Sequence, residues 1–309
     1  MIHLFSPAPA LDLEVETHSP VAGKIGVLNR FSFSPGGKAV NVARYLKAWR
    51  IPYRLFLGAG GGEDATHTLY DSLLQKEGLK ASYLDALSPI RLNLVEHRNG
   101  VSEKFNHPGF SLPEKALGDY ERWVLSKLRR NDVWLLTGRI PKGLAEKRLQ
   151  GWVRRLEGRG VRCVLDTSGS ALSELLSTRP FFLKVNLQEM GEALGQRLDS
   201  LSRIYEILPK LQARGLYHGA ITDGSRGAVV WEGAEVVWVR SPRLNECPPL
   251  VVGAGDAFLA GYLKAWREKL PLRERARWAS ASGAVVAEKG IGGFTSSSVQ
   301  RFVRRASFE

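Results

Sequence analysis

The stretch VVGAGDAFLAGYL (residues 251–263) sets a carboxylate, Asp256, directly behind Gly253, Ala254 and Gly255, at the start of an apolar, helix-patterned run. Two readings compete. An anion suits the first turn of a helix and glycine suits the turn before it, so Asp256 can be a purely local stabiliser. Alternatively, the N–H groups of that turn cradle an incoming anion while Asp256 moves a proton beside it. SPGGKAVNVARYLKAW (34–49) offers a second constellation. Gly36 and Gly37 let backbone approach a ligand closely, Lys38 supplies a cation, and Asn41 can face hydroxyls; the plainer reading is a Gly-Gly turn and a surface lysine. Asp12, in PALDLEVE, can accept two hydroxyl hydrogens or simply be solvated. In KVNLQEM (184–190), Asn186 and Glu189 stand three apart where a strand gives way to a helix. That pair can hold Mg²⁺ through water, or it can be a capping pair and nothing more. In ITDGSRGAVVWEG (221–233), Thr222, Gly224 and Gly227 can line phosphates or merely turn a hairpin.

The elements that must position these residues are visible from about residue 110 onward. LPEKALGDYERWVLSKLRR carries Leu117, Tyr120, Trp123, Val124 and Leu128 at helical spacing, and DVWLLTG follows as a short buried strand. PKGLAEKRLQGWVRRLEGRG reads as a helix, VRCVLD as a strand, and FFLKVN, LSRIYEILPKLQARG and YHGAITDG continue the alternation. Repeated strand–helix units predict a doubly wound, mostly parallel α/β sheet flanked by helices, with ligands beyond the carboxyl ends of the strands. The first hundred residues differ. LDLEVETH, RLNLVEH and SEKFNH alternate apolar and polar residues. They predict a small β-sheet lid drawn from about 11–34 and 88–108, attached to a single α/β domain over 1–309.

Bulk properties exclude several classes. Hydrophobic residues make up 44% and charged residues 24%, as in ordinary globular chains, and no apolar run reaches the length of a membrane span. The N-terminus lacks a basic segment followed by an apolar one, and Cys163 and Cys247 form no CxxC pair. Both observations predict a cytoplasmic protein without disulfide framework or zinc site. Lys and Arg exceed Asp and Glu by 13, but the excess is spread along helices rather than gathered in a basic tail. A solvated basic surface that attracts small anions fits better than nucleic-acid binding. No P-loop is present, GAGGGED and GAGDAF lack the third glycine of a dinucleotide fingerprint, and the six histidines have no metal-ligand spacing.

Taken in order, PGGKAVNVAR and VVGAGDAFLAGYL resemble the two signatures of the PfkB family of carbohydrate kinases, whose fold is ribokinase-like. IRLNLVEH (90–97), LDTSGSAL (165–172) and KVNLQEM resemble the branch that contains 1-phosphofructokinase and tagatose-6-phosphate kinase. The resemblance covers essentially the whole chain. It implies ATP and Mg²⁺ as cofactors, a possible monovalent cation, and a homodimer joined through the lid. It also implies that Asp256 is the general base, set in a catalytic turn of Gly253, Ala254 and Gly255 whose N–H groups from Ala254 to Asp256 would stabilise the transferring phosphoryl group. Asp12, Gly36, Gly37 and Asn41 would hold the sugar; Lys38, Arg91 and Lys104 would hold its phosphate. Lys184, Thr222, Gly224, Gly227 and Ser282 would line the nucleotide, and Asn186 with Glu189 would position Mg²⁺ through water.

Four positions depart from the family pattern. Arg139 stands where this branch has a small Ser, Val251 where a Thr is usual, and Ala39 where a Gly follows the lysine. Asp223 puts an acid on the nucleotide's path. The activity implied is transfer of the γ-phosphate of ATP to a phosphorylated ketohexose, foremost fructose 1-phosphate. Tagatose 6-phosphate, fructose 6-phosphate and an unphosphorylated sugar are the alternatives, and a catalytically silent sugar- or nucleotide-binding regulator is the non-enzyme reading.

Overall fold

Five-residue apolar runs bounded by polar or turn residues become the central strands of the larger sheet. The computed structural model describes residues 1–18, 25, 27–58, 64–84, 88–141, 143–245 and 251–309. Cys247 and residues 59–63 of the GAGGGED stretch lie outside them. In chain order the strands are β1 (Ile2–Ser6), β2 (Ala10–Thr17), β3 (Leu28–Gly36), β4 (Tyr53–Leu57), β5 (Ala81–Tyr83), β6 (Arg91–Arg98) and β7 (Val101–Asn106), then β8 (Val133–Thr137), β9 (Arg162–Asp166), β10 (Phe182–Asn186), β11 (His218–Thr222), β12 (Ala228–Glu232) and β13 (Glu235–Val239). The helices that bear on the site are α1 (Lys38–Ala48), α2 (Ala65–Lys76), α3 (Glu114–Lys127), α4 (Glu146–Gly158), α5 (Ser170–Leu175), α6 (Leu187–Leu194), α7 (Ser202–Ala213), α8 (Ala254–Arg267) and α9 (Leu272–Lys289).

Among the described residues nine strands form one sheet in the order β13-β12-β11-β10-β9-β8-β1-β4-β5. Neighbours from β5 to β11 run parallel, while β12 and β13 add an antiparallel edge. β1 and β8 are buried along their whole length, as strands with helices on both faces must be. Alternate side chains of β1 part between two apolar cores, Ile2 and Leu4 to one and Phe5 to the other. From β1 the chain first builds outward through β4 and β5, then returns to build outward from β8 on the other side. The order therefore reverses between β1 and β8, and a crevice opens beyond their carboxyl ends.

The second sheet has the order β3-β2-β6-β7. Its period-two alternation separates two unlike faces. Asp12 lies across from Ser34 and Asn93, and Asn93 from Asn106, on the polar face. Leu13 lies across from Phe33 and Leu94, and Leu94 from Phe105, on the apolar one. Phe31, Leu92 and Phe105 of that apolar face are exposed.

α8 and α9 pack at close range: a Cβ at Gly261 would collide with the hydroxyl of Ser282. α1 lies alongside α8, with Tyr45 donating to the carbonyl of Gly253 at 3.3 Å. Among the described residues no helix is long and apolar enough to cross a membrane.

Candidate active site

A cleft of about 420 Å³ opens over the β1–β8 reversal point. It takes Ser6 and Gly138 from the strand ends and Asp12, Arg91, Asn93, Lys104 and Asn106 from the polar face of the small sheet. The loop and helix signatures add Gly37, Lys38, Asn41, Gly253, Gly255 and Asp256. Gly36 has a steric reason to be glycine, because a Cβ there would collide with the Asp12 carboxylate. Asn93 donates to Asp12 at 2.7 Å, which fixes the carboxylate with its other oxygen on the Gly36 side. Ser6 is a residue the sequence reading missed. Among the described residues its buried hydroxyl has no hydrogen-bond partner, and it lies about a van der Waals contact from where side chains on Gly37 and Gly138 would begin.

Asp256 sits in the first turn of α8, behind Gly253 in the left-handed conformation (φ 85°). The N-cap is Gly253, which offers no side-chain cap; among the described residues no helix N–H is bonded to the Asp256 carboxylate. It accepts instead from Asn41 Nδ2 at 2.7 Å. Asn41 is oriented in turn by Arg44, which donates to Asn41 Oδ1 at 2.6 Å and grips both oxygens of Glu77. Arg44 closes the PGGKAVNVAR stretch and Glu77 lies outside it, and only the fold reveals that the pair sets the amide that holds Asp256. Burial pushes the Asp256 carboxyl up to about 6, against the opposing pull of Lys38 and the Asn41 hydrogen bond. The nearby Asp166 charge adds to the rise. A proton acceptor with this pKa switches close to neutral pH.

Asp166, fully buried at the end of β9, was not singled out by the sequence reading. Its Oδ1 accepts from Lys38 at 3.1 Å and from Lys184 at 3.3 Å, and its Oδ2 from Thr137 at 3.0 Å. Burial opposes its ionisation, but the two ammonium groups outweigh that and hold the carboxyl below its usual range. Lys38 shows the mirror image: burial pulls it down, yet Asp166, Asp256 and Glu189 keep it above the ordinary lysine value. Lys38 lines the same cleft as Arg91 and Lys104 while paired with Asp166 at the β9 end. Lys184 lines that cleft too, with its ammonium 2.8 Å from where a Cβ on Gly255 would be.

Arg91 donates to the carbonyls of Ala8 and His107 and to Asn93 Oδ1. Burial and the neighbouring Arg139 charge lower its pKa, which places two guanidinium groups near one another at the cleft wall. Among the described residues neither they nor Lys104 form an ion pair, so a dianion would meet three cations free to pair with it.

A second pocket, about 190 Å³, runs between β11–β13 and the α8–α9 pair. Thr222, Gly224 and Gly227 line it, with Ser225, Phe258, Gly283 and Ala284. Gly227 has φ 105°, and a Cβ there would collide with the carbonyl of Val239. Ser282 does not line it: its hydroxyl donates to the Trp278 carbonyl at 2.7 Å within α9, on the side that meets Gly261. The acid at Asp223 is paired with Arg226 at 2.6 Å, which neutralises it. The two pockets share Gly255 and Val251, so they meet at the N-terminus of α8.

Asn186 and Glu189 form a full capping box on α6, each side chain bonded to the other's backbone N–H. Both also line the charged cleft. Among the described residues no cluster of three metal-ligating side chains exists. One carboxylate and one amide beside a phosphate site still fit Mg²⁺, which keeps most of its waters and needs few protein ligands.

A family model for pfkB family carbohydrate kinases matches residues 10–297. The 1-phosphofructokinase of Bacillus subtilis (strain 168) is 28% identical over 295 residues, which cover 93% of this chain and 92% of that protein. Phosphofructokinase-2 from Escherichia coli in complex with potassium superimposes with a TM-score of 0.89 at 24% identity, over 98% of both chains. Arabidopsis thaliana ribokinase complexed with ribose and ATP does so with a TM-score of 0.75 at 18% identity, again over 98% of both. With the match spanning almost its whole length, and a ribokinase-like fold beneath it, the chain belongs to the pfkB family of ATP-dependent carbohydrate kinases.

Proposed function

We propose that this enzyme is a 1-phosphofructokinase, converting fructose 1-phosphate and ATP to fructose 1,6-bisphosphate and ADP. The observation that carries the reading is the cation cluster of Arg91, Lys104 and Arg139 in the cleft that also holds Asp256. Three such charges suit an acceptor that already bears a phosphate and are out of place around a neutral sugar. The 28% identity to a 1-phosphofructokinase supports the same substrate. Asp12, Asn41 and the glycine backbone of Gly36 and Gly37 hold the ketose hydroxyls. Asp256 takes the proton of the attacking hydroxyl as its oxygen bonds to the γ-phosphorus, and the bond from that phosphorus to the bridging oxygen breaks to leave ADP. The N–H groups opening α8 face the charge of the transferring phosphoryl group. Mg²⁺, held through water by Asn186 and Glu189, would neutralise charge on the nucleotide phosphates. Thr222, Gly224 and Gly227 lie along the nucleotide.

The small sheet serves as the lid of this single-domain kinase, its polar face over the acceptor. Its exposed apolar face, with Phe31, Leu92 and Phe105, is the surface for a second copy, giving a homodimer. A potassium complex of a relative supports a monovalent cation as activator. The two cysteines, without a pairing pattern, suit a cytoplasmic enzyme.

The test is ADP release by the purified protein with Mg-ATP and, in turn, fructose 1-phosphate, fructose 6-phosphate, tagatose 6-phosphate, fructose and ribose. Turnover concentrated on fructose 1-phosphate is expected. Faster turnover of another sugar of the panel would reassign the substrate, and silence across all five would overturn the activity.

A further inference from the structure

Asp166 is a fully buried carboxylate that none of the roles above uses. Buried charges are costly unless paired, and here one oxygen serves two ammonium groups while the other is held by Thr137. The two lysines come from distant parts of the chain, Lys38 from the start of α1 and Lys184 from β10. Both line the charged cleft together with Gly255 and Asp256. Lys184 packs against Gly255, which with Val251 is shared by the two pockets, and the Lys38 charge acts on Asp256. Asp166 also fixes the neighbouring backbone: its carbonyl accepts from Gly138 N–H at 3.0 Å, and Thr167 bonds the Gly138 carbonyl at 2.9 Å.

We propose that Asp166 is a positioning residue for phosphoryl transfer, parking the Lys38 and Lys184 ammonium groups at the N-terminus of α8 so that they meet the charge of the transferring phosphoryl group. The proposal rests on the kinase reading of this site. Lysine carries long-stem entropy, and a buried carboxylate that holds two of them in place removes that cost before substrate arrives. Asp166 itself touches neither the sugar nor the nucleotide; it acts through the lysines. Within the cleft that Arg91 and Lys104 also line, Lys38 is the cation already paired with a carboxylate. Substrate phosphate and transferring phosphoryl group have separate sets of cations.

The test compares wild type with Asp166→Asn, which keeps the shape and removes the charge. With the sugar that wild type turns over, kcat is expected to fall about 30- to 300-fold, while KM for that sugar stays within about threefold. A double-mutant cycle with Lys38→Met identifies the route. If Asp166 works through the lysines, the Asp166→Asn loss shrinks at least about fivefold in the Lys38→Met background. Calorimetric binding of ADP with and without aluminium fluoride, a mimic of the phosphoryl group in flight, needs no sugar turnover. Wild type is expected to bind ADP at least about tenfold tighter with the fluoride, and Asp166→Asn to lose that gain while ADP alone binds equally well. Absence of the gain in wild type, or its retention in Asp166→Asn, would overturn the proposal. Retained kcat, or a loss as large in the Lys38→Met background, would overturn it too. Silence of wild type on every sugar would instead overturn the assigned activity and leave the calorimetry to judge Asp166. Should Asp166→Asn fail to fold, Thr137→Val, which frees one carboxylate oxygen without removing charge, is expected to lower the fluoride-dependent gain about threefold; an unaltered gain would overturn the proposal.

Discussion

The charged cleft and the pocket proposed for the nucleotide meet at Gly255 and Val251 but are built from opposite materials. The cleft is lined by Asp12, Lys38, Arg91, Lys104, Arg139, Lys184, Glu189 and Asp256, all ionisable. Among the described residues the pocket beside it has no ionisable side chain and is lined by glycine, alanine, serine and Thr222 with Leu244, Val251 and Phe258. Recognition by charge and recognition by shape are thus placed on either side of one helix N-terminus. Changes in the cleft should act on the acceptor and on the chemical step, whereas changes in the pocket should act on ATP alone.

The largest effect tests the helix start itself. Asp256→Asn should lower kcat by at least about 10², with KM for ATP unchanged in steady-state assays. The same variant should fold at least as well as wild type at pH 8. A carboxyl whose folded pKa is raised from 3.8 to about 6 is ionised at a cost to the fold as pH rises through that window, and asparagine escapes the cost. A lower melting temperature for Asp256→Asn at pH 8 would contradict this sign.

Next in size, replacing Arg91 and Arg139 together by Met should raise KM for the sugar phosphate about 10- to 100-fold and leave KM for ATP within about twofold. A matching rise for ATP would erase the distinction between the halves. The raised pKa of Asp256 gives a third, smaller effect. A base must be ionised to work, so kcat/KM should fall about tenfold per pH unit below about 6 and level off above it. A flat profile between pH 5 and 7 would remove Asp256 as the base. The smallest change belongs to the pocket. Gly227→Ala forces a Cβ against the Val239 carbonyl in a left-handed conformation, and should raise KM for ATP about fivefold with no effect on the acceptor.

Much of the fold was legible because its signals are local. The alternation beyond residue 110 gave β8, β9, β10 and β11 with α3, α4 and α7, while the short α5 between β9 and β10 was not read; Leu117, Tyr120 and Val124 are buried on α3 as their spacing predicts. The two-faced strands gave the small sheet, with β2, β3, β6 and β7 close to the expected segments. The fold gathers Asp256 and Asn41, from the two signatures, and Asp12, from a separate strand, into one cleft. The site was illegible where a side chain's direction decides. Lys38 looks like a displayed cation in sequence, and only the β9 end, 128 residues away, reveals its carboxylate partner. Ser282 looks like a pocket residue but turns to Gly261, because helical phase at a close crossing cannot be read without the partner helix. Asp166, in LDTSG at a strand end, had a position that could have drawn notice. Its two lysines, both elsewhere in the chain, did not announce themselves.

The most direct measurement is the phosphorus NMR spectrum of the product formed from fructose 1-phosphate and Mg-ATP. Two sugar monoester resonances in equal amounts, growing with ADP and absent with Asp256→Asn, are expected. A single monoester resonance that stays that of the starting sugar, while ATP remains intact, would contradict the assignment of this cleft as the acceptor site for fructose 1-phosphate.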